Sequence, residues 1–342
     1  MTSRGFRANG LLDWILKKFP SLRWSLVGVL GVEDRSLAAW KVLEQKKKLN
    51  AVKLLEIVDG DNPSAPLPPQ STNLTAKRNA FFAGGGTASS ILPALPLLSK
   101  EAEIVAAAEE FCKNCSENVM LDISSMPKRY FFPWLTVLYT CRSIRNLFVT
   151  YTVPEIYDST LAENAEVQQA LPMFNAPTTE PAEKILIVGV GYQLLRLPEL
   201  IDDMHLTQNN IRLLFPFPSP PPGYQKNWDI VRHINKKLPI TPEMIVRVST
   251  NDPSEVFDCI LRLTNRGKNH AILAPFGPKP MSLGMCVYAI AKRLNGEAIP
   301  AYYTQPLSYS PSYSSGVQTF EGIQQIHTYC LRISGRNLYQ IE

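Results

Sequence analysis

The sequence predicts an α/β fold built from two tandem Rossmann-like halves, each a doubly wound parallel sheet covered by helices, the two related by a pseudo-two-fold axis. Three observations predict it. Apolar strand-like runs alternate with amphipathic helix-like runs; the alternation stops at a polar, proline-spotted stretch and then restarts; and short motifs of the first half recur in the same order in the second. A chain of 342 residues with 45% hydrophobic content can bury two separate cores.

Taking the elements in order, residues 1–23 read as an amphipathic helix, with Arg4, Arg7, Lys17 and Lys18 around Leu11, Leu12, Trp14, Ile15, Leu16 and Phe19. The segment lacks the continuous apolar stretch and small-residue cleavage site of a signal peptide, so it is expected to dock on the protein, with a membrane surface as the alternative. The first Rossmann-like domain covers 24–158, with strands at 24–30, 52–58, 118–123 and 147–151 and helices at 33–46, 100–114 and 130–142. A proline-rich loop at 61–70 interrupts it, and 159–183 is the linker. The second domain, 184–320, has strands at 185–190, 211–215, 244–248, 271–275 and 301–303, and 321–342 closes the chain as a hairpin turning at Ser334-Gly335.

The recurring motifs are specific. Leu26-Val27-Gly28-Val29 corresponds to Ile187-Val188-Gly189-Val190, and Val52-Lys53-Leu54-Leu55 to Ile211-Arg212-Leu213-Leu214. Met126-Pro127-Lys128 corresponds to Gly277-Pro278-Lys279, and Tyr151-Thr152-Val153-Pro154 to Tyr303-Thr304-Gln305-Pro306, every pair separated by roughly 150 to 160 residues. Duplication explains all four in one order; shared strand chemistry explains only the first two.

Parallel sheets bind ligands beyond the carboxyl ends of their strands, where helix amino ends favour anions. In the second half, Gly277 allows close backbone approach or a positive φ, Lys279 supplies a phosphate-binding charge, and Ser282 can cap the helix or donate its hydroxyl. The equivalent turn of the first half offers Ser124, Ser125, Lys128 and Arg129 after the strand-end acid Asp122. Tyr151, Thr152, Tyr303 and Thr304 stand at strand ends where they could stack on a base or bond to it, and the amides of Gly85, Gly86 and Thr87 form a possible anion cradle. The proline-rich 215–228 segment is a candidate roof. Each feature also has a purely structural reading: a solvated lysine, a capping serine, a core-closing aromatic, a loop.

Gly277-Pro278-Lys279-Pro280-Met281 after a strand, followed by a small-residue helix and a strand ending in Tyr303-Thr304, resembles the G-T-K-x-M stretch of CARF domains, Rossmann-like sensors of cyclic oligonucleotides in prokaryotic antiviral defence. Pro278 stands where that family has threonine. The resemblance implies a ligand touching Gly277 and Lys279 with Met281 packed beneath, and an effector protein or complex as partner.

Other classes fit less well. The net charge of +5, from 35 basic and 30 acidic residues, is spread along the chain, with no basic stripe for duplex nucleic acid. No run approaches the roughly 18 apolar residues of a membrane span. Sparse cysteines point to a reducing, cytoplasmic setting, and Cys112-x-x-Cys115 has neither the second pair of a zinc site nor the strand-to-helix position of a thioredoxin motif. Neither G-x-x-x-x-G-K-[ST] nor a full G-x-G-x-x-G is present. The expectation is a cytoplasmic sensor that binds a phosphate-bearing, nucleotide-like ligand, with no other cofactor and no metal. The alternatives are an enzyme acting on a nucleotide or phosphosugar through an acid such as Asp122, and a scaffold subunit of a complex.

Overall fold

A computed structural model describes residues 7–58, 70–157, 162–165, 169–176, 184–192, 196–204, 206–218, 223–309 and 314–341. Part of the proline-rich loop, most of the linker and the middle of the 215–228 segment lie outside the described residues. The chain divides into two units, residues 1–163 with 307–338 and residues 164–306 with 339–342.

Unit 1 contains strands β1 (Asn9–Leu11), β2 (Trp24–Val29), β3 (Leu49–Leu55), β4 (Asn118–Asp122) and β5 (Asn146–Thr152), and helices α1 (Leu12–Lys18), α2 (Ala38–Gln45), α3 (Gln70–Ala83), α4 (Glu101–Asn114) and α5 (Lys128–Thr140). β5, β4, β2 and β3 run parallel in that spatial order. Beyond β3 the ladder continues as a bridge from Leu54 to Ile91 and a parallel pair of Ile57–Val58 with Leu95–Pro96. The strands are apolar on both faces because helices cover both, which is why they read as unbroken hydrophobic runs.

On the other side of β5 the sheet gains the strand Ile326–Ile333 and then β1, both antiparallel to their neighbours. The C-terminal segment therefore supplies an inner strand of this sheet as well as a short hairpin return at Arg336–Asn337. The N-terminal segment also differs from the expected single helix: Asn9 pairs with Tyr329 and Leu11 with His327, and α1 spans seven residues. Strand pairing with a partner more than 300 residues away leaves no local periodicity to read. Leu12, Ile15 and Leu16 are buried in the core beside Trp24, Trp40 and Phe148, so the apolar face that a membrane surface would need is already used. The expected 33–46 helix begins as a 3-10 turn, Asp34–Leu37, before α2.

Unit 2 contains β6 (Lys184–Gly189), β7 (Ile211–Phe217), β8 (Ile245–Ser249) and β9 (His270–Pro275), with helices α6 (Leu197–Asp203), α7 (Tyr224–Lys237), α8 (Pro253–Leu263) and α9 (Lys279–Leu294). Its four strands are all parallel in the order β8-β7-β6-β9, and Ala301 continues the ladder beside Leu273. When the 91–96 segment counts as the third strand of unit 1 and Ala301 as the fifth of unit 2, both units read 3-2-1-4-5. This is the order of doubly wound nucleotide-binding sheets, with the switch point between strands 1 and 4. The recurring motifs fall at matching places in that order: the end of strand 1, strand 2, the turn after strand 4, and the end of strand 5.

Two features pin the units. Arg332, on the long C-terminal strand and 7% exposed, donates to the carbonyls of Cys141 (2.9 Å), Ile144 (2.8 Å) and Tyr139 and to Asn337 Oδ1 (2.7 Å), closing the C-terminal end of α5. In unit 2, a Cβ on Gly191 would lie 2.1 Å from the Phe276 carbonyl oxygen, and one on Gly284 2.6 Å from the Pro253 carbonyl oxygen. Backbone meets backbone at both places, so neither has a flexible neighbour to yield. Gly191→Ala is expected to destabilise the protein by about 3 kcal/mol, the upper range for overpacking. Arg332→Met is expected to cost about 3 kcal/mol by leaving buried carbonyls unsatisfied. Denaturant unfolding of each variant measures both.

Candidate functional site

The switch point of unit 1 is built by the turn between β4 and α5. Asp122, 3% exposed, accepts hydrogen bonds at Oδ1 from the Ser124 amide (3.0 Å) and the Ser124 hydroxyl, while Ser124 Oγ accepts from the Thr152 amide (2.8 Å). Ser124 is thus spent on tying the β4 turn to β5, and Asp122 on shaping that turn. Ser125 lies against Gly31, where a Cβ would sit 3.1 Å from Ser125 Oγ. Pro127 caps α5 and its carbonyl receives the Tyr130 and Phe131 amides, each at 2.9 Å. Lys128, buried, is the first helical residue. Arg129 turns away: its Nη2 donates to the carbonyls of Ser99 (3.1 Å) and Leu98 (3.4 Å), anchoring the loop before α4.

The predicted glycine cradle is a helix terminator. The amides of Gly84, Gly85 and Gly86 donate to the carbonyls of Ala80, Phe82 and Phe81, and Gly85 takes φ of +100°. A Cβ on Gly84 or Gly86 would strike the ring of Trp40 or Phe81, at 2.5 and 2.4 Å. Thr87 Oγ1 bonds with the hydroxyls of Ser89 and Ser90. The glycine amides expected to hold an anion are consumed by the preceding helix.

In unit 2, the turn from β9 to α9 packs on the end of β6. The virtual Cβ of Gly277 falls 2.5 Å from Met281 Sδ, and that of Gly189 lies 3.0 Å from the same sulfur and 3.3 Å from the Gly277 amide nitrogen. Gly277 packs closely here, its virtual Cβ also 3.3 Å from the Gly189 carbonyl carbon and the Val190 carbonyl oxygen, and it has no positive φ. Lys279 opens α9, half-buried, with Pro280 in the first turn. Ser282 caps internally, its hydroxyl donating to the carbonyls of Gly277 (3.3 Å) and Pro275 (3.4 Å). Tyr303 packs its ring against Phe276 at a tilt of 44°, centroids 5.5 Å apart. Asn227, fully buried on α7, donates to the Gly191 carbonyl (2.6 Å).

Thr152 and Thr304, the paired threonines of the repeated strand-end motif, are both fully buried, and neither Oγ1 has a hydrogen-bond partner. Tyr151 is different. Its hydroxyl contacts Tyr157 (2.8 Å) and receives Arg35 Nη1 (3.4 Å), and the Arg35 guanidinium lies 5.6 Å from the Tyr151 ring centroid and 5.7 Å from that of Tyr157. Arg35 is 1% exposed and pairs with Glu33 (2.8 Å). Sequence reading missed this cluster. Glu33-Asp34-Arg35 directly after the first βα turn was the available signal, but it lay inside a run read as ordinary amphipathic helix.

Ser125, Lys128 and Thr152 stand at the carboxyl edge of the unit 1 sheet, and Gly277, Lys279 and Thr304 at that of unit 2. Ser124, Ser282, Arg129, Gly85, Gly86 and Thr87 serve the fold. Among the described residues no cluster of three or more His, Cys, Asp or Glu side chains is arranged to hold a metal, and no helix is long and apolar enough to cross a membrane.

No protein-family model matches the chain, and no curated protein matches it. Solved structures give distant matches. The methyltransferase domain of bacterial CtHen1 aligns at 10% identity and a TM-score of 0.23, over 42% of this chain and 64% of that one. A putative universal stress protein from Pseudomonas aeruginosa UCBPP-PA14 aligns at 11% identity and a TM-score of 0.25, over 84% of this chain and 95% of that one. The chain is an α/β protein whose unit 1 sheet is mixed and whose unit 2 sheet is parallel, and likenesses at this level add nothing about its chemistry.

Proposed function

We propose that the protein binds a phosphate-bearing, nucleotide-like ligand at the carboxyl edges of its parallel sheets and relays the bound state to an effector protein. The observation that carries this reading is the repeated turn. In each unit the strand at the switch point runs through Pro127-Lys128 or Pro278-Lys279 into a buried helix whose first residue is the lysine. A helix amino end disfavours a cation, yet both turns place one there. A bound phosphate would meet the helix amino end and the ammonium together, which reverses the sign of that local interaction.

The threonine that ends the fifth strand position supports the same reading. Thr152 and Thr304 each bury a hydroxyl without a protein partner, a state that costs about 1–3 kcal/mol, and a polar ligand or ordered water removes the cost. Within the ligand class, a cyclic oligonucleotide is favoured by the CARF resemblance alone, and so is a place in antiviral defence.

Mass spectrometry of small molecules released on denaturing the purified protein, followed by calorimetry against mononucleotides and cyclic oligonucleotides, tests the proposal. Lys128→Ala and Lys279→Ala are each expected to weaken binding about tenfold or more, the scale of one charge-assisted contact, with the thermal midpoint retained. Unchanged affinity in both variants would end the reading. Thr152→Val and Thr304→Val preserve side-chain shape and are expected to keep or raise the thermal midpoint while lowering affinity; a pure packing role would leave affinity alone.

A further inference from the structure

The carboxyl edge of unit 2 carries a further chemistry on β7 and β8. Successive residues of a strand face opposite sides, so Phe215 and Phe217 of β7 share one face, and the parallel register sets Arg247 of β8 beside Phe215. Phe215 is buried, its ring 4.8 Å from that of Trp228 on α7. Phe217, nearer the edge, is 61% exposed. The guanidinium of Arg247, itself exposed, lies over the Phe217 ring at 5.7 Å from the centroid.

The backbone under this pair is pinned. The buried Thr250 hydroxyl donates to the Pro218 carbonyl and ties the chain leaving β7 to the chain leaving β8. The Ser249 amide, at the end of β8, donates to Glu255 Oε2 on α8 at 3.0 Å. Unit 1 fills the corresponding place differently. The match of Val52–Leu55 with Ile211–Leu214 sets Glu56 where unit 2 has Phe215, and Glu56 is buried and taken by Arg78 of α3, whose Nη2 lies 2.7 Å from Oε1. The second strand of unit 1 thus ends in a paired acid, and that of unit 2 in an exposed ring backed by a cation.

We propose that Phe217 is the stacking platform for the base of a nucleotide, purines before pyrimidines, with Arg247 backing the other face of the ring. The inference rests on the reading that unit 2 binds a phosphate-bearing ligand at the Pro278-Lys279 turn, and it narrows that ligand to one carrying a flat aromatic base. A guanidinium over one face of a phenyl ring holds the ring by a cation–π contact and leaves the other face for a π-system. Its positive charge also draws an anionic ligand toward the edge. Every base offers a π-face, and the larger purines cover more of the ring, so stacking sets a preference for size ahead of sequence. β7 and β9 flank β6 on opposite sides, two strand spacings or about 10 Å apart. A nucleotide lying across the end of β6, in the crevice where doubly wound sheets take ligands, joins the Lys279 turn to the Phe217 ring.

Calorimetry on the full-length protein with three probes separates the two readings. Adenosine monophosphate carries phosphate and base, ribose phosphate the phosphate without a base, and adenosine the base without a phosphate. The wild-type protein should bind adenosine monophosphate at least about tenfold tighter than ribose phosphate, the scale of one base–aromatic stack. Phe217→Ala should remove that advantage and leave the affinity for ribose phosphate unchanged. Phe217→Trp should keep the advantage, and Phe217→Leu, apolar but without a π-face, should behave as the alanine variant does. The exposed ring makes retention of the thermal midpoint the expected result in all three. The inference is overturned if the wild type binds adenosine monophosphate no tighter than ribose phosphate, or if Phe217→Ala binds it as the wild type does. Ribose phosphate binding that Lys279→Ala abolishes, beside a silent Phe217→Ala, would remove the platform and leave the phosphate reading standing. Adenosine binding that needs Phe217, beside a silent Lys279→Ala, would keep the platform and remove the phosphate reading.

Discussion

At the switch point of each sheet, the chain leaving the first strand touches the turn that follows the fourth, with no room for a side chain on the first-strand side. Unit 2 meets this constraint with Gly189 and Gly191, whose missing Cβ atoms make room for the Gly277 amide and the Phe276 carbonyl, and unit 1 with Gly28 and Gly31 against Asp122 and Ser125. The contact fixes where α5 and α9 begin, because both helices start within a few residues of it. It therefore also fixes where Lys128 and Lys279 stand. A glycine in a strand interior weakens the strand; these are kept because the approach they permit sets the position of everything at the carboxyl edge.

The two units satisfy the polar groups of that turn by different chemistry. In unit 1 a carboxylate, a hydroxyl and an amide form a chain, Asp122 to Ser124 to Thr152, and a buried Arg35–Glu33 pair with Tyr151 and Tyr157 occupies the adjoining edge. In unit 2 the same place is filled by the sulfurs of Met281 and Met285 below the glycines, and the hydroxyl of Ser282 returns to the carbonyls of its own turn. A polar chain specifies one geometry strongly, because breaking any link strands a buried group. A thioether adapts to its surroundings. The unit 1 edge is the stiffer of the two, and the unit 2 edge has the softer floor.

Much of the fold was legible because buried parallel strands and their helices write themselves locally. Trp24–Val29, Glu101–Asn114, Asn118–Asp122 and Ile211–Phe217 all fall within a few residues of where periodicity puts them. The repeated motifs were legible as strings, and the strand order explains why they recur at the same stations. What escaped was non-local. β1 exists only because the strand Ile326–Ile333 offers it an edge, and the C-terminal strand joins a sheet whose other members ended well over a hundred residues earlier. Candidate site residues were misjudged where a side chain had a structural partner that spacing does not reveal: Arg129 on the carbonyls of Leu98 and Ser99, Ser124 on Asp122, and the Gly84–Gly86 amides on α3. The position of Lys128 and Lys279 in the first turn of their helices was legible because proline before a lysine at a strand-to-helix turn favours that placement.

α5 runs through unit 1 from the switch-point turn to the Arg332 cap. It carries Lys128 at its amino end and is capped by Cys141 at the other, about 20 Å away for thirteen residues at the α-helical rise. Eleven of its thirteen residues are buried, including Phe131, Phe132, Trp134 and Leu135, so the helix cannot bend into solvent to absorb a local change. Arg332 holds one end by three carbonyls, and the Pro127 turn with its Asp122–Ser124 chain holds the other. A close-packed element held at both termini moves as a body or not at all.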